Sequence, residues 1–173
     1  MFSNLVRIQA ILVNAIIALV AAVFVLYLGF MTQHFVLFYD GTVEMFDFYK
    51  QLQVFNKEAF NIALLFIVAA FLLSLFGLPK YRPGLAALIV AVGSAVFVIL
   101  RSVALLAVIP LYKSSYLALD FAEVDFAPTT LVFDIAVWLH YLLIAMFVLL
   151  AIVAVASFVQ RLREGHPLIR KLI

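Results

Sequence analysis

The sequence predicts an all-α membrane protein, a four-transmembrane-helix bundle with an amphipathic interfacial helix in its first outer loop. Of the 173 residues, 69% are hydrophobic and 12% are charged, and the mean hydropathy is +1.28. A soluble domain of this size is nearer half apolar and a quarter charged, and it leaves much of its surface in water. Hydrocarbon is therefore the expected solvent for most of the chain.

Four apolar windows are long enough to cross a bilayer, which takes roughly 20 helical residues. Apolar residues continue on every face of each window, as in helices, instead of alternating as in the strands of a barrel. No long polar linker separates the windows, so we expect one domain over residues 1–173. The predicted spans are residues 8–30, 60–78, 85–110 and 131–159.

The distribution of lysine and arginine predicts the orientation of these spans. Seven of these residues lie on one side, before the first span, in the turn 79–84 and in the tail 160–173. Three lie on the other side, in the loops 32–58 and 111–130, together with seven of the nine acidic residues. Basic residues are enriched in cytoplasmic loops. The sequence therefore predicts a multi-pass protein of the plasma membrane with both termini in the cytoplasm.

Residues 43–57 have the periodicity of an amphipathic helix. Charged and amide side chains occupy much of one face, and apolar side chains recur on the other at three- and four-residue steps. We expect this helix to lie at the outer interface and to lead directly into the second span. Its apolar face either packs over the mouth of the bundle or binds a partner. The residues of that face are Met45, Phe48, Tyr49, Leu52 and Phe55.

Arg101 is the most informative polar residue within the predicted spans. It lies nine residues before Pro110, about 13 Å deep at 1.5 Å per residue. An arginine facing lipid at depth costs at least about 2.5 kcal/mol. We therefore predict a buried cluster in which Arg101 pairs with Asp134, near His140 and Ser102. The cluster is either a ligand or proton site or an ion pair that fixes helix register.

The sequence contains no complete set of residues for catalysis or for cofactor binding. The absence of cysteine excludes thiol chemistry, disulfides and cysteine-ligated metals. Haem needs paired axial ligands, and His140 is the one histidine in the predicted spans. Metalloprotease and phosphate-loop motifs are absent. We predict no catalytic residue, no metal and no cofactor, and the net charge of +2 gives no indication of nucleic-acid binding.

These observations favour a non-catalytic subunit or small scaffold of a membrane complex. Its expected partners are membrane lipids and either another membrane protein or further copies of the chain. One alternative is an oligomeric small transporter or channel component that uses Arg101, Asp134 and His140. A second alternative is a membrane enzyme on a lipid substrate, with Asp134 or His140 as its base.

Overall fold

The computed structural model describes residues 2–26, 43–78, 80, 83–122 and 129–163, and no strand occurs in these ranges. A short 3₁₀ turn, Leu75–Gly77, follows the second helix. All four long helices contain a stretch that is long and apolar enough to cross a membrane. The predicted all-α architecture is confirmed. The helices are α1 (Phe2–Val25), α2 (Val43–Ser74), α3 (Leu85–Leu117) and α4 (Leu131–Arg163).

The helices run up and down around a closed ring. Each helix packs against its neighbours in the sequence, and α1 also packs against α4. One end of the bundle therefore holds the start of α1, the α2–α3 connection and the end of α4. We call it the basic end, because Arg7, Lys80, Arg161 and Arg163 lie there. The opposite end, formed by the start of α2, the end of α3 and the start of α4, is the extended end.

Close packing of apolar side chains fills the interior of the bundle. The rings of Phe66 on α2 and Phe147 on α4 meet edge to face, with centroids 5.0 Å apart. Ala91 and Ala95 are buried on α3, where their small side chains let neighbouring helices approach closely. Because lipid tails are as apolar as this core, van der Waals contact rather than escape from water holds the helices together.

The outer surface of the bundle is apolar as well. On α4, exposed side chains recur every three or four residues along the whole helix, which is a continuous outward stripe. A stripe of this length on a soluble protein would be a large exposed apolar patch, whereas in a bilayer it contacts hydrocarbon. The stripe includes Leu131, Ile135, Trp138, Leu142, Leu149 and Ile152.

The extended end differs from the predicted outer loops. Residues 43–57 form the first half of α2 and are continuous with the second span, so they project along the bundle. At 32 residues, α2 is about 48 Å long against a hydrocarbon layer of about 30 Å. Likewise α3 does not end at Pro110 but continues to Leu117. Aromatic contacts hold the two extensions together: Phe55 meets Tyr112 at 4.9 Å, and Phe48 meets Tyr116 at 5.9 Å.

Part of the predicted topology lies outside the described residues. This applies to the end of the first predicted span, to most of the loop before α2, to part of the loop before α4 and to most of the basic tail. These elements remain predictions. The segments concerned are residues 27–42, 123–128 and 164–173.

Candidate functional site

Arg101 forms an ion pair with Glu58 of α2, and not with Asp134 of α4. The predicted Arg101–Asp134 pair is therefore wrong. Because α2 is continuous through residue 58, it brings a carboxylate to the level of Arg101 that the sequence had assigned to an outer loop. Both side chains are about half exposed, at 46% and 48%. The pair thus lies on the outer face of the α2–α3 hairpin and not in the core.

The depth of this pair follows from helix geometry. Arg101 is 16 residues beyond Leu85, about 24 Å along α3 from the basic end. A hydrocarbon layer of about 30 Å that starts at Leu85 would extend roughly 6 Å past Arg101, so Arg101 would lie inside it. Trp138, 23 residues before Arg161 on α4, is about 35 Å from the basic end. It contacts Tyr141 on the exposed surface, an arrangement typical of the aromatic belt at a membrane interface.

Asp134 belongs to a second ion pair, nearer the tip of the extended end. Lys113 Nζ donates to both carboxylate oxygens of Asp134, at 2.6 and 2.8 Å. The carboxylate is 27 residues from Arg161, or about 40 Å, which is beyond the hydrocarbon layer and the aromatic belt. This pair joins α3 to α4, and its side chains are 33% and 50% exposed. Ion pairs exposed to water contribute little stability.

His140 and Ser102 are the members of the predicted cluster that do lie in the core. His140 is 2% exposed, and its Nδ1 lies 2.8 Å from the carbonyl oxygen of Ala136, one turn earlier on α4. Ser102 is fully buried, and its hydroxyl has no hydrogen-bond partner among the described residues. The four predicted site residues are thus distributed over two surface ion pairs and the core. A ligand or proton site built from all four remains a prediction.

The apolar face of residues 43–57 is used within the chain. Met45, Phe48, Leu52 and Phe55 are buried, and Tyr49 is half-buried in contact with Phe48. The face therefore packs within the chain. Binding of a partner, the other interpretation, would require these side chains to be exposed. The opposite face of α2 is the one left exposed, and it includes Lys50, Gln51, Val54, Lys57, Glu58 and Asn61.

Two polar residues at the basic end have structural contacts that the sequence did not indicate. The amide nitrogen of Gln9 on α1 donates to the carbonyl of Leu73 at 2.7 Å. Arg161 on α4, although charged, is buried and donates to the carbonyl of Leu78 at 2.7 Å. Leu73 is in the last turn of α2, and Leu78 follows the 3₁₀ turn. Backbone carbonyls at helix ends often have no intrahelical donor. Hydrogen bonds from α1 and α4 satisfy the carbonyls of Leu73 and Leu78 and join three helices.

The arrangement gives few chemical possibilities at any one place. Among the described residues, no group of three His, Asp or Glu side chains could hold a metal ion. The acid and the imidazole proposed as bases are separated, since Asp134 is bound to Lys113 at the surface and His140 is in the core. The polar feature that stands out is the half-exposed Arg101–Glu58 ion pair within the helices that are long and apolar enough to cross a membrane. No protein-family model, curated protein or solved structure matches the chain.

Proposed function

We propose that this small membrane protein is a non-catalytic subunit or scaffold of a membrane complex, and that it binds its partner through the outer face of the α2–α3 hairpin. The observation that carries the proposal is the half-exposed Arg101–Glu58 pair. It lies at a depth that hydrocarbon would occupy, on a surface where Lys57 and Asn61 are also exposed. A charged side chain that faces lipid at such depth is costly, and such residues usually face other protein or a polar cavity.

The surroundings of the pair are those of a helix-binding surface. Leu100, which precedes Arg101, is 63% exposed, and Val54, one helical turn before Glu58, is 68% exposed. Asn61 is exposed on α2 one turn nearer the basic end than Glu58. A partner helix with a polar group at this level would contact the side chains of Arg101, Glu58 and Asn61. Hydrogen bonds to the partner would then replace their contact with lipid. Interhelical hydrogen bonds of this kind contribute about 0.6–2 kcal/mol each in membranes.

The basic end supports an orientation for this complex. Arg7, Lys80 and Arg161 lie there, whereas the described acidic side chains Asp47, Glu58, Asp120 and Asp134 are on the other half of the bundle. By the rule that short cytoplasmic segments retain basic residues, the basic end faces the cytoplasm of a plasma membrane. The extended end, with its α2–α3 hairpin, then lies outside the cell, where it can meet the outer domain of a partner.

The test is site-specific photocrosslinking in native membranes. A photoreactive amino acid at position 100 should crosslink to a protein, either another subunit or a second copy. The same probe at Ile152, on the lipid-facing stripe of α4, is the matched control and should crosslink to lipid. Arg101→Gln and Glu58→Gln should each reduce the crosslink at position 100. If position 100 yields lipid adducts alone, as position 152 does, the proposed partner surface is wrong.

The transporter alternative has weaker support. In the described bundle, side chains such as Phe66, Phe147, Ile16 and Leu143 fill the interior, and two of the three residues invoked for transport are on the surface. A path through the protein would therefore have to lie between several copies of the chain. Flux in proteoliposomes that is reduced by both Arg101→Ala and Asp134→Ala would favour this alternative over the scaffold.

A further inference from the structure

A groove of about 280 Å³ opens on the surface between α1 and the end of α2, at the basic end of the bundle. It differs from the larger groove between α1 and α4, which is lined almost entirely by apolar side chains. Gln9 and Asn14 line the smaller groove from α1, and Ser74, Gly77 and the exposed Leu78 line it from the other side. A groove with amide and hydroxyl groups is unusual on a membrane-embedded surface.

Gln9 provides a buried acceptor beside this groove. Its side chain is 3% exposed, and its Nε2 donates to the carbonyl of Leu73 at 2.7 Å. A carbonyl can only accept, so the nitrogen must face Leu73 and the amide cannot be turned around. The oxygen, Oε1, then has no donor among the described residues. A buried acceptor without a donor destabilises the fold unless a bound group supplies one.

The Gln9 amide packs directly against Gly77. A Cβ atom at position 77 would be 2.3 Å from Gln9 Oε1 and 2.8 Å from Cδ, closer than any real contact. An alanine at position 77 would therefore displace the end of the Gln9 side chain, for which glycine leaves room. Oε1 lies between two residues that line the groove, and a small movement of the Gln9 side chain would expose it to a bound molecule.

The charge around the groove indicates which molecule it suits. Arg7 follows the groove-lining Val6, Lys80 is two residues beyond Leu78, and both are exposed. The described acidic side chains are all on the other half of the bundle. The Ser74 hydroxyl donates to the carbonyl of Phe71 at 2.7 Å, so its oxygen can accept. A ligand for this groove therefore carries a negative charge and also donates hydrogen bonds.

We propose that the groove binds the headgroup of an anionic phospholipid that carries free hydroxyl groups. Arg7 and Lys80 attract the phosphate, and a headgroup hydroxyl donates to Gln9 Oε1. The acyl chains lie on the apolar surface beside the groove, where Ile11 is exposed. Basic residues next to a membrane span commonly attract anionic lipid. The Gln9 acceptor adds selectivity for the hydroxyl, and the site is independent of the proposed partner surface.

The test compares two lipids of equal charge. Purified protein is placed in nanodiscs of phosphatidylcholine with either phosphatidylglycerol, which has headgroup hydroxyls, or phosphatidylmethanol, which has none. Retained lipid is then counted by native mass spectrometry. We expect phosphatidylglycerol to be retained about three- to tenfold more strongly, the ratio that corresponds to one additional hydrogen bond. Equal retention of the two lipids would overturn the proposal.

Variants place the selectivity at this groove. Gln9→Leu removes the acceptor, and Gly77→Ala pushes the Gln9 amide away, so each should abolish the preference. If Gln9→Leu fails to fold, Gly77→Ala still provides the test. Gly93→Ala is the matched control, because a Cβ there meets nothing within 4 Å, and it should keep the preference.

Two further experiments test the role of the basic residues and whether the bound phosphate belongs to a lipid or to a soluble molecule. Arg7→Gln with Lys80→Gln should weaken retention of both lipids and leave their ratio unchanged. Millimolar glycerol phosphate should not displace the lipid, and displacement would show that the site takes a soluble phosphate ester. A preference that survives both Gln9→Leu and Gly77→Ala would also overturn the proposal.

Discussion

Replacing Arg161 by glutamine should destabilise the bundle much more than the same change at Arg7. Arg161 is 6% exposed, and its guanidinium donates to the carbonyl of Leu78 at 2.7 Å, which fixes α4 to the end of α2. A hydrogen bond from a charged donor contributes about 1.5–3 kcal/mol. Because Leu78 itself is exposed, water can reach its carbonyl in the variant, so we expect the lower part of this range, about 1.5–2 kcal/mol.

Arg7→Gln is a matched control, because it removes an equal charge from the same end of the bundle at an exposed position. The loss of a basic residue can itself affect membrane insertion, and this effect should be the same in both variants. Surface substitutions usually change stability by less than about 0.5 kcal/mol. In mild detergent, we expect the melting temperature to fall by about 3–8 °C for Arg161→Gln and by less than about 2 °C for Arg7→Gln. Equal melting temperatures for the two variants would refute the structural role of Arg161.

Three further predictions follow from the packing, the second ion pair and the single tryptophan. Phe147→Ala should lower the free energy of unfolding by about 2–4 kcal/mol, because it leaves a cavity in the core. Leu149→Ala, on the lipid-facing stripe, should lower it by less than about 0.5 kcal/mol. Similar losses in the two variants would contradict the assignment of Phe147 to the core and Leu149 to the surface. A double-mutant cycle on Lys113 and Asp134 should give a coupling of at most about 1 kcal/mol that falls with salt, because the pair is half exposed in water; a larger, salt-independent coupling would place it in a dry environment. The fluorescence of Trp138, the one tryptophan of the chain, should be quenched more by lipids brominated near the carbonyl groups than by lipids brominated near the chain ends. The reverse order would show that Trp138 does not lie at the membrane interface.

The sequence was sufficient to predict the four helices, because in lipid the backbone must satisfy its own hydrogen bonds in helices or in a closed barrel, and the apolar windows lack the alternation of barrel strands. It was less informative about where the helices end. Pro110 was expected to terminate the third span, yet α3 continues past it to Leu117. The stabilising contacts of that extension come from Phe48 and Phe55, which are more than 50 residues away in the chain. Such long-range packing cannot be deduced from the local pattern of α3.

The expected continuity of residues 43–57 with the second span bears on the partner of Arg101. No glycine or proline separates the amphipathic segment from the second span, and residues 55–60 contain only good or tolerable helix formers. A continuous helix follows, and it carries Glu58 to the level of Arg101. The pairing itself also depends on the order of helices around the ring and on their rotation, neither of which is written in a single sequence.

Gln9 and Arg161 show a second limit of sequence-based prediction. Gln9 lies within the first predicted span and Arg161 in the predicted basic tail, and neither position indicates a hydrogen-bond partner. Their hydrogen bonds depend on the carbonyls that are left free where α2 ends in its 3₁₀ turn. Residue type and spacing on α1 and α4 carry no information about the end of α2. These contacts are therefore accessible only from the assembled bundle.

We infer that four helices cross a bilayer, with the α2–α3 connection on one surface and the extended end on the other. Because the chain contains no cysteine, a single introduced cysteine can be labelled without background. In intact cells, an impermeant maleimide should label Asp120→Cys but not Lys80→Cys, and Lys80→Cys should react only after the membrane is permeabilised. Labelling of both positions from the same side, or release of the protein by carbonate without detergent, would contradict this arrangement of four membrane-spanning helices.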